Sequence, residues 1–139
     1  GAKDVIGDLR AWCDEADGPR ALGVISNFDE RLHPLLKNLG VHDLFDFVLT
    51  SRECGSEKPA PPMFYEALKR AGARNHETGA GVHIGDNFSK DVLGARGVGW
   101  LPVLITERGP TSEEVIVEHI RVTELVTVPG ALGIESRNR

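Results

Sequence analysis

The chain has 139 residues, a formal net charge of −5, 40% hydrophobic residues and 27% charged residues. That length suffices for one domain with a buried core, and the composition is that of an ordinary globular protein. The acidic balance argues against a nucleic-acid surface and supplies no basic run for a membrane surface, and no apolar stretch approaches the roughly 18 residues of a membrane span.

The opening GAKDVIGD lacks a starting Met, shows no signal-peptide pattern and enters directly on a helix-like segment. It is therefore expected to lie inside a longer polypeptide. Val5, Ile6, Leu9 and Trp12 recur at helical spacing, and Gly18 and Pro19 are expected to stop that helix. ALGVIS (21–26) is a short apolar run of the kind that forms a strand buried on both faces. Leu32, Leu35, Leu36 and Leu39 mark an apolar helix stripe ended by Gly40, with Pro34 in the first turn. FDFVLT (45–50) reads as a second strand, and APPMFYEALKRAG (60–72) as a helix with prolines at its entry and Gly72 at its exit.

GAGVHI (79–84) reads as a third strand, residues 88–96 as another helix and WLPVLI (100–105) as a fourth strand. After Thr106 the pattern predicts a loop, a short strand near His119 to Val122, and a final helix from Thr123. Strand–helix alternation at this rhythm implies parallel strands and a Rossmann-like α/β sandwich, whose ligands gather at the carboxyl ends of the strands. Residues 1–135 are expected to form the domain, incomplete for reasons given below, and residues 136–139 a frayed tail.

Three strand ends carry the chemistry. The first ends in Ser26 and Asn27, a hydroxyl and backbone N–H groups suited to phosphate oxygens. Helix capping by Ser26, Asn27 or Asp29 explains the same residues. Beyond the second strand Lys58 precedes Pro59 in a loop stiffened by fixed φ angles, placed to neutralise a phosphate or a carboxylate nucleophile. A solvated surface lysine is the plainer alternative. The third runs into Gly85, Asp86 and Asn87, and Asp91 falls in the first turn of the next helix. Two carboxylates here match what Mg²⁺ takes, one or two protein carboxylates with waters and a phosphate oxygen. Capping accounts for each aspartate separately, but not for Ser26, Lys58 and Asp86 following three strands in turn.

Other signals are weaker. Gly94, Gly97 and Gly99 have the dinucleotide-binding glycines in the wrong order and read as a helix end. The five histidines are scattered with no zinc spacing. Cys13 and Cys54 form no CxxC and are expected to be reduced thiols in a cytoplasmic protein, with a single disulfide as the alternative. Cys54 lacks a helix start or a defined His partner that would make it a nucleophile.

GVISNFD, FDFVLTSRECGSEKPAPPMFYEALKRAG and HIGDNFSKDVLGARGVGW resemble motifs II, III and IV of the haloacid dehalogenase-like hydrolases, over residues 22–109. The resemblance implies Mg²⁺-dependent phosphoryl transfer from a small phosphorylated metabolite through an aspartyl-phosphate. It implies Ser26 and Asn27 at the transferring phosphoryl group, Lys58 neutralising nucleophile and phosphate, and Asp86 with Asp91 at the metal. Such chemistry is mostly positioning and electrostatic stabilisation. Ala60, where relatives usually show an aspartate, and Lys90 before Asp91 depart from the pattern.

The larger departure is that no two aspartates are separated by a single residue, so motif I, DxDx(T/V), is absent together with the helical cap. In the family the motif I strand lies between those of motifs II and IV. Those two strands must here pair with each other or leave open edges, which invite self-association or pairing with a missing N-terminal segment. The expectation is a fragment of a phosphatase-type hydrolase, inactive without its nucleophile. A non-catalytic binding module on the same fold is the alternative, and a receiver-like signalling domain fits less well because it needs an acidic cluster after a first strand.

Overall fold

The computed structural model describes residues 1–15, 21–72, 81–125 and 132. Five short strands, all parallel, form two sheets. In the first, β1 (Gly23–Ser26) pairs with β2 (Phe47–Thr50), so that Ser26 lies beside Thr50. In the second, β4 (Leu101–Ile105) lies between β3 (Val82–Gly85) and β5 (Ile120–Val122). Parallel strands need crossovers, and helices supply them: α2 (Leu32–Asn38), α4 (Pro61–Arg70) and α5 (Leu93–Gly97), with α1 (Ala2–Asp14) ahead of β1. This is the Rossmann-like α/β arrangement that the alternation implies.

Helix α4 joins the two sheets. Its Met63, Phe64, Ala67 and Leu68 are buried with Leu49 of β2, Ala95 of α5, Val98 and Trp100. Ile25 of β1 packs on the same cluster. The wholly buried Phe64 meets His83 of β3 and Trp100 edge-on, at ring distances of 5.4 and 5.3 Å. Burying a side chain of this kind is worth roughly 1.5–3 kcal/mol. Prolines at the first two helical positions and the N-cap Ala60 in extended conformation start α4 where the sequence predicts. On the other side, Val5 and Leu9 of α1 pack with Leu22, Leu125 and Leu132, while Ile84 joins Val103 and Val122. His83 and Ile84, being successive in a strand, reach opposite faces, so the fold is layered as helix, sheet, helix.

Between the two sheets the ladder is interrupted. Among the described residues β1 pairs only with β2, and β3 only with β4. Of the two outcomes expected for strands β1 and β3, the open edges are the one adopted. β1 is correspondingly half-buried along its length rather than enclosed on both faces.

Other expectations need correction. Helix α2 has the predicted bounds, with Pro34 in its first turn, but no buried residue; Leu35 and Leu39 are 48% and 60% exposed. Its leucine stripe is covered only in part: Leu32 and Leu36 are half-buried, while Leu35 and Leu39 face outward. The stripe of α1 is Val5, Leu9 and Cys13, spaced one turn apart, and Trp12 is 39% exposed. The helix beyond β3 begins as a π-helical turn, Phe88–Val92, before becoming α5.

Three short elements go unsignalled by apolar periodicity: a 3₁₀ turn at His42–Leu44, and α3 (Ser51–Cys54) and α6 (Ser112–Val115), which are set by threonine caps. The Thr50 hydroxyl accepts the Glu53 N–H at the start of α3, and Gly55 at φ 73° ends it. Thr111 caps α6 through the Glu114 N–H. Gly18, Pro19, most of the predicted final helix and the tail at 136–139 lie outside the described residues.

Candidate functional site

The carboxyl ends of β1 and β3 come together through the loop that holds Lys58. Asn27, the first residue past β1, clamps that loop from both sides: its Oδ1 accepts the Lys58 N–H at 2.8 Å and its Nδ2 donates to the Lys58 carbonyl at 2.9 Å. The Lys58–Pro59 bond is cis. From this fixed backbone the Lys58 ammonium reaches Asp91 Oδ1 at 2.6 Å, with only 11% of its side chain exposed. The solvated-surface reading of Lys58 is thereby excluded.

Asp91 is buried by the π-helical turn, and both its oxygens are engaged. Oδ1 also accepts from His83 Nε2 at 2.8 Å, and Oδ2 accepts the Asn87 N–H at 3.0 Å. Burial by itself would raise the Asp91 pKa. The hydrogen bonds from His83 and Lys58, the lysine charge and the Asn87 N–H outweigh it and hold the carboxyl well below the usual carboxylate range. Gly85 makes the room: a Cβ there would fall 2.2 Å from Asp91 Cγ. At this position glycine serves close approach rather than an unusual backbone angle.

Asp86, next in the chain, is different. It is exposed and makes no hydrogen bond or ion pair with the described residues. Ser26 is half-buried; its hydroxyl likewise makes no hydrogen bond with the described residues, and its carbonyl accepts the Phe28 N–H. Asn87 caps the turn by accepting the Lys90 N–H at 2.9 Å, so capping and site coexist in this segment. Beside the β1 end lies an open cleft of ≈ 510 Å³ lined by Asn27, Asp29, Ser51, Arg52 and Ser56 among others.

The structure therefore links Asn27 and Asp91 through Lys58, which contacts both, and leaves Ser26 and Asp86 with free side-chain oxygen atoms at strand ends. Asn27 spends its side chain on the Lys58 backbone, so only its backbone N–H remains for an anion. His83 is the residue that sequence reasoning passed over among scattered histidines. Strand alternation could have found it, because His83 shares a face with Gly85, over which Asp91 sits. Cys13 and Cys54 are not joined in a disulfide, and no cluster of three metal-ligating His, Cys, Asp or Glu side chains is assembled among the described residues.

The Asp–Lys pair and the unbonded aspartate lie at the carboxyl ends of parallel strands, where ligands of open α/β sheets gather. The family described as haloacid dehalogenase-like hydrolase matches residues 1–99, and the chain belongs to it. It is 45% identical over 89 residues to haloacid dehalogenase-like hydrolase domain-containing protein 3 of Bos taurus, covering 64% of this chain and 34% of that protein. It is 39% identical over 98 residues to a glyceraldehyde 3-phosphate phosphatase of Methanothermobacter thermautotrophicus, covering 70% of this chain and 42% of that enzyme. Among solved structures, a HAD phosphatase from Thermococcus onnurineus superimposes with TM-score 0.78 at 28% identity, over 96% of this chain and 57% of its own. The chain thus matches well under half the length of these two curated relatives. Among the described residues no helix is long and apolar enough to cross a membrane.

Proposed function

We propose that this chain carries the supporting half of a Mg²⁺-assisted phosphoryl-transfer site, acting on a small phosphorylated metabolite when a carboxylate nucleophile is supplied to it. The observation that carries this reading is the seating of Lys58. An ammonium fixed at its backbone by Asn27 and at Nζ by Asp91 stands at the strand ends with further N–H hydrogens to offer an anion. Fixed cationic donors of this kind stabilise phosphoryl oxygens without reorganising.

The donor set fits a hard divalent cation in part. Mg²⁺ binds through one or two carboxylates, water and substrate phosphate oxygens, and Asp86 offers a carboxylate with no competing partner. Asp91 has its oxygens committed to Lys58, His83 and Asn87, so it would act on the metal through its neighbours or through water. When bound, the cation would neutralise charge on the phosphoryl oxygens. Ser26 Oγ and the N–H groups beyond it would hold the transferring group, and Lys58 would balance its charge and that of the nucleophile. The nucleophile would be an aspartate whose acyl phosphate water then cleaves; with no Asp-x-Asp in the sequence, this chain does not provide it.

The relation to a glyceraldehyde 3-phosphate phosphatase favours phosphate monoesters as the substrate class. Two cysteines not joined in a disulfide favour a cytoplasmic setting. Hydrolysis of a generic aryl phosphate with Mg²⁺ is the test. No turnover is expected from this chain alone, and turnover is expected from a polypeptide that also contains an Asp-x-Asp strand. Turnover by the isolated chain that survives Asp86→Ala would defeat the reading.

The open edges of β1 and β3 support a second reading, a non-catalytic module that binds a phosphorylated ligand or pairs with another chain. Calorimetric phosphate or Mg²⁺ binding, with no turnover even when the Asp-x-Asp strand is supplied, would favour it. A monomer that unfolds cooperatively on its own would count against edge pairing.

A further inference from the structure

Lys58 has a long flexible stem, and an ammonium on such a stem is useful at a site only if something seats it. Its seat is Asp91 Oδ1, which is shared with a second donor. We infer that His83 is a positioning residue for Lys58, its Nε2–H fixing the Asp91 carboxylate on which the ammonium rests. The relevance to catalysis rests on the phosphoryl-transfer reading above; the geometry does not.

Three observations converge. First, His83 Nε2 lies 2.8 Å from an oxygen that already accepts from Lys58 at 2.6 Å. A carboxylate oxygen can only accept, so Nε2 carries the hydrogen of this contact. Second, the imidazole cannot swing away. It is buried in β3 and stands edge-on to Phe64, interplanar angle 83°, and Phe64 is itself wholly enclosed by the core. Third, the strand prepares the place twice on one face. His83 gives the donor, and Gly85, two residues on, gives the space that the Asp91 carboxyl fills.

The three donors to Asp91 come from separate elements: Lys58 from the loop before α4, His83 from β3 and the Asn87 N–H from the turn itself. Three fixed donors determine the plane of a carboxylate, whereas Lys58 and one N–H leave it free to tilt toward the lysine. Any buried imidazole N–H needs an acceptor; what marks His83 is that its acceptor is the oxygen on which Lys58 rests. His83 thus holds the acceptor, and the acceptor holds the charge.

The test uses this chain and two substitutions, His83→Gln, which returns an N–H near the position of Nε2–H, and His83→Leu, which fills space without a donor. The readout is the rate at which an amine-directed reagent modifies Lys58 relative to the exposed Lys37 and Lys69, located by mass spectrometry in protein shown to be folded by near-ultraviolet circular dichroism. His83→Leu is expected to raise the relative rate at Lys58 about tenfold, the size of losing one hydrogen bond to a charged group, and His83→Gln to restore it to near the native rate. An unchanged Lys58 rate in folded His83→Leu overturns the proposal, as does a rise that His83→Gln shares in full.

Should His83→Leu not fold, ¹⁵N NMR of the native imidazole decides. Nε2 protonated in the neutral ring supports the proposal, and Nε2 unprotonated overturns it. Titration of the native protein with inorganic phosphate reads the functional premise separately. Absence of binding there, with the Lys58 rates behaving as expected, would defeat the phosphoryl-transfer reading while supporting the His83 contact.

Discussion

Asp91 and Glu114 are both buried carboxylates bonded to cations, yet their surroundings differ. Glu114, 2% exposed, receives Arg108 on one oxygen and Arg121 on the other, each at 2.5 Å, and Arg121 also donates to the Arg108 carbonyl. Arg108 first, then Arg121, pulls its pKa down against burial. Every strong group there is answered by another, and the result ties α6 to β5 and the loop after β4. Asp91 is just as fully answered, but beside it stand Asp86 and the Ser26 hydroxyl with nothing to bind among the described residues. A buried ion pair is thus poor evidence of a site by itself. An ion pair next to unanswered oxygens at parallel strand ends is better evidence.

Breaking the Asp91 side of this comparison should have the largest effect. Asp91→Ala leaves Lys58 partly buried without its counter-ion, and a loss of about 3–5 kcal/mol is expected in urea unfolding. Gly85→Ala brings a Cβ to 2.2 Å from the Asp91 carboxyl and should cost about 1–3 kcal/mol in the same assay, with Lys58 displaced in the ¹⁵N NMR spectrum. Asn27→Ala removes both hydrogen bonds to the Lys58 backbone; a loss of about 1–3 kcal/mol is expected, together with weaker phosphate binding. Asp86→Ala should move stability by no more than about 0.5 kcal/mol, because the side chain is exposed and unbonded, and should abolish Mg²⁺ binding.

The pH dependence follows from sign. The folded pKa of Asp91 is depressed below its ordinary 3.8, so its contribution to stability is present above that value and lost as pH falls through the depressed folded pKa. An acid titration of native protein against Asp91→Asn should show the two stability curves converging below about pH 3.8. A gap that persists unchanged down to strongly acid pH would contradict the arrangement of donors around Asp91.

Much of this was legible in the chain. Pro61 and Pro62 marked the start of α4, Gly40 the end of α2, and apolar runs marked the cores of β1 to β4, with β5 placed only near His119 to Val122. Ser26, Lys58, Asp86 and Asp91 could be placed at strand ends because parallel strands fix where loops emerge. What stayed hidden depends on contact at a distance in sequence. The Asn27 clamp on Lys58 spans 31 residues, and the Lys58–Asp91 pair spans 33. Neither has a local spacing to betray it. Helix α2 shows the reverse failure: its leucines have the right period, but period cannot say how many of them a neighbouring element covers.

Asp91 belongs to Lys58, and the proposed site leaves Asp86 for the metal. Mg²⁺ titration of the ¹⁵N-labelled chain followed by NMR tests it most directly. The expected result is saturable shifts centred on Gly85, Asp86 and Asn87, lost in Asp86→Ala, with the Lys58 signals little moved. Shifts of equal size that survive Asp86→Ala, or a Lys58 ammonium released from Asp91 as the metal binds, would contradict it.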